Sequence, residues 1–181
     1  MQAKDIETHL AELGKELHEM GLQRPIRILL VGGAFMLTQI KNRQATNDID
    51  VLLKDIDDST TSPLYQTFKS ATRYIARKNK MPNSWLNDVI GDFLRDLGSV
   101  PEGKLWRRYD KLEVYLPPDK YILALKLLAG RQKDRDDILA LSKKLKIQTR
   151  EQAQKVIDRY IPDKQVQQMN NVEKTLANFF E

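Results

Sequence analysis

Asp48 and Asp50 stand two residues apart in the stretch TNDIDVLL. On an extended chain such a pair projects from one face about 6.5 to 7 Å apart, with Ile49, Val51 and Leu53 on the other. Two carboxylates so held can share a divalent cation. Mg²⁺ takes oxygen ligands in near-octahedral geometry, and one or two carboxylates plus substrate phosphates normally supply them. The same triplet recurs at Asp55 and Asp57, but there no apolar alternation continues, and Lys54, Asp58 and a Ser/Thr run mark a solvated loop. Exposed charge is the plain alternative for either pair. At an effective dielectric of ~20, carboxylates at that separation repel by about 2 to 3 kcal/mol, and by well under 1 in water, so a surface can carry them cheaply.

The setting favours the first pair. RPIRILLVGG reads as a buried strand closed by Gly32 and Gly33, with AFMLTQIKN opening a short helix behind them. Unpaired backbone N–H groups and the positive end of the helix dipole make such a turn suited to an anion, although glycine pairs also serve as plain tight turns. Arg43 and Thr46 add a cation and a hydroxyl just ahead of the carboxylates.

The remaining elements must position these groups. Ile6, Leu10, Leu13, Leu17 and Met20 recur at helical spacing and Gly21 follows as a stop. DIDVLL is a second strand. Ser/Thr/Pro content at DSTTSP starts a helix through LYQTFKSATRYIARKNK, MPNSWLNDVIGDFLRDL reads as loop plus short helix, and Leu112, Val114 and Leu116 mark a third strand stopped by Pro117 and Pro118. After Asp119 the chain is helical, interrupted near Gly130, with two further helices in TREQAQKVIDRYI and DKQVQQMNNVEKTLANFFE. The expectation is an α/β (α+β) fold: a short mixed sheet flanked by helices over 1–118, and a C-terminal helical region over 119–181 packed on it as one compact unit.

Composition narrows the chemistry. The 181 residues, 41% hydrophobic, suffice for one core and argue against two large independent domains. Absence of cysteine excludes disulfides, zinc-thiolate sites and thiol nucleophiles. A net charge of +5 leans weakly toward phosphate-bearing partners. Without ~18 consecutive apolar residues, neither a signal peptide nor a membrane span is expected, and the expected compartment is the cytoplasm.

LLVGGAFML followed by RQATNDIDVLL resembles the signature of the DNA polymerase beta-like nucleotidyltransferase superfamily. Within it the chain is similar to minimal stand-alone nucleotidyltransferases related to abortive-infection toxins, a likeness also carried by WLND (85–88), KLLAGRQKDRDDI (126–138) and TREQAQKVIDRYIP. The resemblance implies a short mixed sheet as nucleotidyltransferase core and transfer of a nucleotidyl group from an NTP to an acceptor hydroxyl. RNA, tRNA included, is the implied acceptor and a protein hydroxyl the competitor, with a cognate antitoxin as a further implied partner. It assigns Gly32 and Gly33 to the nucleotide phosphates, Asp48 and Asp50 to Mg²⁺, and Arg43 and Thr46 to phosphate contact. The superfamily usually has Ser where this chain has Gly33. A third carboxylate on a later strand is also implied: Glu113 is the foremost choice as a catalytic residue, then Asp110 and Asp88. The competing reading is a catalytically silent nucleotide- or nucleic-acid-binding regulator of the same fold.

Other residues divide between function and structure. Lys126 in the apolar YILALKLLAG calls for a ligand or a carboxylate, and Asp134 is a candidate partner. Arg131 with Asp134, and Lys133 with Asp137, are spaced for helical ion pairs, Arg131 being the strongest candidate there for a nucleotide contact alongside Lys126. Trp85 is either a base-stacking platform or core. His9 and His18 are taken as inert, and the basic runs RYIARKNK and KLWRRYDK are polynucleotide tracks or solvated faces.

Overall fold

The computed structural model describes residues 1–54 and 62–180; Asp55 and Asp57 lie outside them. Among the described residues the chain forms a five-stranded mixed sheet and a set of helices. It divides into two compact units, Met1–Gly91 with Gly103–Leu116, and Asp92–Glu102 with Pro117–Glu181. Residues 92–102, expected with the sheet, therefore group with the C-terminal helices. Gly98, at φ +147°, lets the chain pass so close to the Tyr160 carbonyl that a Cβ there would stand 2.8 Å from its oxygen.

The first unit begins with α1 (Ala3–Glu19), whose Ile6, Leu10, Leu13 and Leu17 are fully buried. Strand β1 (Ile26–Leu30) follows, then α2 (Gly32–Phe35), which widens into a π-helical turn over Met36–Ile40 and ends at Lys41 in the left-handed region. β2 is Ile49–Leu53 and α3 is Pro63–Lys78, started by the Ser62 hydroxyl. β3 is the two residues Leu86–Asn87, and α4 (Ile90–Leu97) leads out of the unit. β4 (Lys104–Tyr109) and β5 (Leu112–Leu116) return as a hairpin.

Strand order is β3-β2-β1-β5-β4, with β1 antiparallel to β2 and parallel to β5. Pairing fixes the two faces. Ile28 lies opposite Leu53 and Val114, Leu30 opposite Val51, so these apolar residues share one face. Arg107 pairs with Val114 and reaches Glu7 of α1 at 3.3 Å, which puts α1 over that face. The other face carries Arg27, Leu29, Leu52, Glu113, Tyr115 and Asp50. α1 lies so near the hairpin that a Cβ at Gly14 would meet the Tyr109 carbonyl oxygen.

In the second unit α5 (Asp119–Ala129) is buried almost all round and packs on α6 (Arg135–Leu145), α7 (Arg150–Tyr160) and α9 (Val172–Phe179). Gly130, left-handed at φ +56°, ends α5. The single last helix expected from the sequence is two, α8 (Lys164–Met169) and α9, because Asn171 adopts φ +53° between them. No helix among the described residues is long and apolar enough to cross a membrane.

Candidate functional site

The last buried residues of β1 lead straight into the glycine turn. Val31 N–H donates to the Asp50 carbonyl at 3.0 Å, so Asp50 lies directly across from the end of β1. Gly32 has φ +62°, and a Cβ built on it would stand 2.2 Å from Asp50 Oδ2. Glycine is required there twice over: by backbone conformation and because the Asp50 carboxylate occupies the space. The other oxygen of Asp50 is held from the opposite side. Asn87, its register partner on β3, donates Nδ2–H to Asp50 Oδ1 at 2.9 Å, while Asn87 Oδ1 accepts from the Val89 N–H at 3.3 Å. The amide is thus oriented at both ends and aims the carboxylate at the turn.

Gly33 is crowded by the segment that precedes the carboxylates. A Cβ there would stand 2.6 Å from Thr46 Oγ1 and 3.5 Å from a terminal nitrogen of Arg43. Any larger residue, serine included, would collide with the Thr46 hydroxyl. Thr46 is itself buried, donates Oγ1–H to the Asp48 carbonyl at 3.2 Å, and exchanges backbone bonds with Met1 at 2.9 and 2.7 Å. Asp48 immediately precedes β2 rather than lying within it. Half-buried, its carboxylate has no hydrogen-bond or ion-pair partner among the described residues. Gly32, Gly33, Arg43, Thr46, Asp48 and Asp50 therefore converge at one end of the sheet, where the first N–H groups of α2 also lack intrahelical partners.

Glu113 does not join them. Its β1 partner is Arg27, four residues before Val31, which displaces it by about 13 Å along the strands. Its carboxylate instead accepts from Arg108 Nε at 2.9 Å and from the Tyr115 hydroxyl at 3.0 Å. Glu113 shares Asp50's face, as alternation alone suggests, but the parallel register sets it at the far end. Asp110 is in the β4–β5 turn, 2.7 Å from His18 Nδ1, so His18 is a partner rather than inert. Asp88 is buried in an ion pair with Lys69 at 2.7 Å. No group of three potential metal ligands occurs among the described residues. Asn87 is the residue the sequence reading passed over; its signal was its place beside a strand-end carboxylate in WLND.

Lys126 and Arg131 belong to the second unit. Lys126, 5% exposed, places Nζ 2.5 Å from Asp134 Oδ1 and 2.8 Å from Asp137 Oδ2, both carboxylates being almost fully buried. Arg131 Nε bonds the other oxygen of Asp134 at 2.7 Å. Asp137 thus serves Lys126 from the next helical turn. Burial acts to raise the Asp134 carboxyl, but the Lys126 ammonium and the Arg131 guanidinium outweigh it and hold Asp134 below the usual carboxylate range. Trp85 is core: 1% exposed, it donates Nε1–H to the Thr72 carbonyl at 3.0 Å and meets His9 edge-on. Comparison of the chain with family models, with curated proteins and with solved structures gives no match.

Proposed function

We propose that the protein is a Mg²⁺-dependent nucleotidyltransferase that moves a nucleotidyl group from an NTP to an acceptor hydroxyl. The observation that carries this reading is the seating of the Asp50 carboxylate against the Gly32 turn, 2.2 Å from where a Cβ would begin. A triphosphate drawn to that turn meets a carboxylate, and the two anions coexist only with a cation between them. The donor set suits Mg²⁺: two all-oxygen ligands from the chain, with phosphate oxygens and water to complete the shell. Asp48 and Asp50 would hold the ion, which supplies charge neutralisation on the phosphates as the α–β bond breaks.

The chain's own groups then have distinct tasks. Asn87 fixes Asp50, and Thr46 fixes the backbone of Asp48. The N–H groups of Gly32 and Gly33 donate to phosphate oxygens, and Arg43, beside Gly33, offers a planar fork to the same group. The acceptor hydroxyl oxygen bonds to the α-phosphorus as the α–β bond breaks, its proton passing to solvent and pyrophosphate departing in line; catalysis rests on positioning and charge neutralisation. Support for RNA or tRNA as acceptor, and for a toxin with a cognate antitoxin, comes from the sequence resemblance and the basic excess of +5.

Incubation with each α-labelled NTP, Mg²⁺ and total RNA tests the reading. Label should move to RNA, and Asp48→Asn/Asp50→Asn or EDTA should abolish it. A second reading, a silent nucleotide- or nucleic-acid-binding regulator, is favoured by one observation: no third carboxylate accompanies Asp48 and Asp50 among the described residues. Tight NTP binding with no transfer to RNA or protein would select it.

A further inference from the structure

Between Asp58 and Asp88 the sequence contains no acidic residue, while the stretch 62–81 carries Lys69, Arg73, Arg77, Lys78 and Lys80. Those five charges equal the net charge of the whole chain, 30 basic less 25 acidic residues. An ordinary solvated helix interleaves acids with its bases three or four residues apart; α3 has none. Two of the five cations are used internally, Lys69 on Asp88 and Lys78 on Glu12. Arg73, Arg77 and Lys80 are exposed and have no ion-pair partner among the described residues. Arg73 and Arg77 stand one turn apart on one side of α3, about 6 Å along its axis, and Lys80 follows just past the helix end, where the chain turns left-handed at φ +54°. Tyr74, 43% exposed, stands beside them.

We propose that this basic run is a docking track for a single-stranded segment of RNA. The proposal leans on the nucleotidyltransferase reading only for the choice of RNA over another polyanion. Guanidinium groups one helical turn apart can each fork onto a phosphate, and the exposed tyrosine beside them offers a face to an unpaired base. A membrane surface is disfavoured, since a helix that lies on lipid needs an apolar flank in contact with it; the apolar flank of α3, Phe68, Ala71, Ile75 and Ala76, is core.

Fluorescence anisotropy with a labelled single-stranded RNA of about 20 nucleotides, without NTP, tests this across a salt series. Three phosphate contacts predict a log–log salt slope near −2, and Arg73→Ala/Arg77→Ala/Lys80→Ala should flatten it and weaken binding by about 100-fold at 0.1 M salt. Tyr74→Ala should cost about fivefold on single strands and little on the duplex of the same sequence. Alanine is a strong helix former at positions 73, 74 and 77, and Lys80 is exposed beyond the helix end, so the folds are expected intact, checked by circular dichroism. A charge-matched control, Lys4→Ala/Lys143→Ala/Lys155→Ala, should bind as the native chain does, and leaving NTP out of the assay separates this claim from the catalytic one. Equal losses in the two triple variants, an unchanged slope, no RNA binding by the native chain, or tighter binding of polyglutamate than of RNA would each overturn the proposal.

Discussion

Gly32→Ala is the sharpest test of the geometry at the end of β1. Two costs add. An alanine at φ +62° sits in the left-handed region, at about 1 to 2 kcal/mol. Its Cβ would also lie 2.2 Å from Asp50 Oδ2, a distance no contact tolerates, so the carboxylate must swing away and give up the Asn87 bond, worth about 1.5 to 3 kcal/mol for a charged acceptor. The expected loss is about 2.5 to 5 kcal/mol. Urea unfolding followed by tryptophan fluorescence reads the relevant part, because Trp85 and Trp106 both lie in the sheet-bearing unit. The origin of the loss is separable by a double-mutant cycle. In an Asp50→Ala background only the backbone term and a close Cβ contact at 3.0 Å remain, so Gly32→Ala should cost about 1.5 kcal/mol less there than in the native chain. If the two substitutions instead add within about 0.5 kcal/mol, the carboxylate is not seated on the turn, and the case for a bridging cation falls with it.

Other outcomes follow from the same structure. In the labelling assay Glu113→Gln should keep activity within a few-fold, whereas Asn87→Ala, which loosens a carboxylate from behind, should lose about 10- to 100-fold; the reverse order would return Glu113 to the site. Lys126→Met leaves two buried carboxylates facing each other and should destabilise the helical unit by about 3 to 5 kcal/mol at neutral pH, as read by thermal melts followed by circular dichroism. The pH dependence should also change sign. In the native chain Asp134 is held below its ordinary value of 3.8, so its contribution is complete above that pH and is lost as pH falls through the lower folded value. In Lys126→Met, by contrast, mild acidification should restore stability by letting one carboxylate take up a proton; a variant that only weakens further in acid would refute the pairing. Trp85→Ala should cost about 3 to 5 kcal/mol in urea unfolding, as a core truncation, with nucleotide binding by the refolded protein unchanged.

What the sequence revealed of the fold depended on whether the signal was local. β1, the glycine turn and β2 were legible because buried apolar residues pack into short runs bounded by breakers, and Ile28, Leu30, Val51 and Leu53 are indeed interior. α1 and α5 were legible from helical spacing. The sequence of β4 shows only a basic run, since KLWRRY is an edge strand whose side chains stay largely exposed, and such a strand has no alternation to detect. β3, two residues long, is held by pairing to β2 and has no periodicity of its own. Glu113 shows the limit most plainly: its face follows from alternation, but its distance from Asp50 follows from its pairing with Arg27 of β1, which is set by packing between segments far apart in the chain.

The wide turn at Met36–Ile40 is closed by a bond from Lys41 N–H to the Met36 carbonyl, five residues back. An extra residue is accommodated in that loop of backbone, and the chain leaves it on a bearing that lets Arg43 and Thr46 fold back over Gly33. Deleting Thr38 would relax the coil to ordinary pitch and yet turn everything after it by about 100°, carrying both side chains off the glycine. In this neighbourhood, then, segment length is as constraining as residue identity: an insertion or deletion of one would scatter the residues gathered at the glycine turn while leaving every one of them in the sequence.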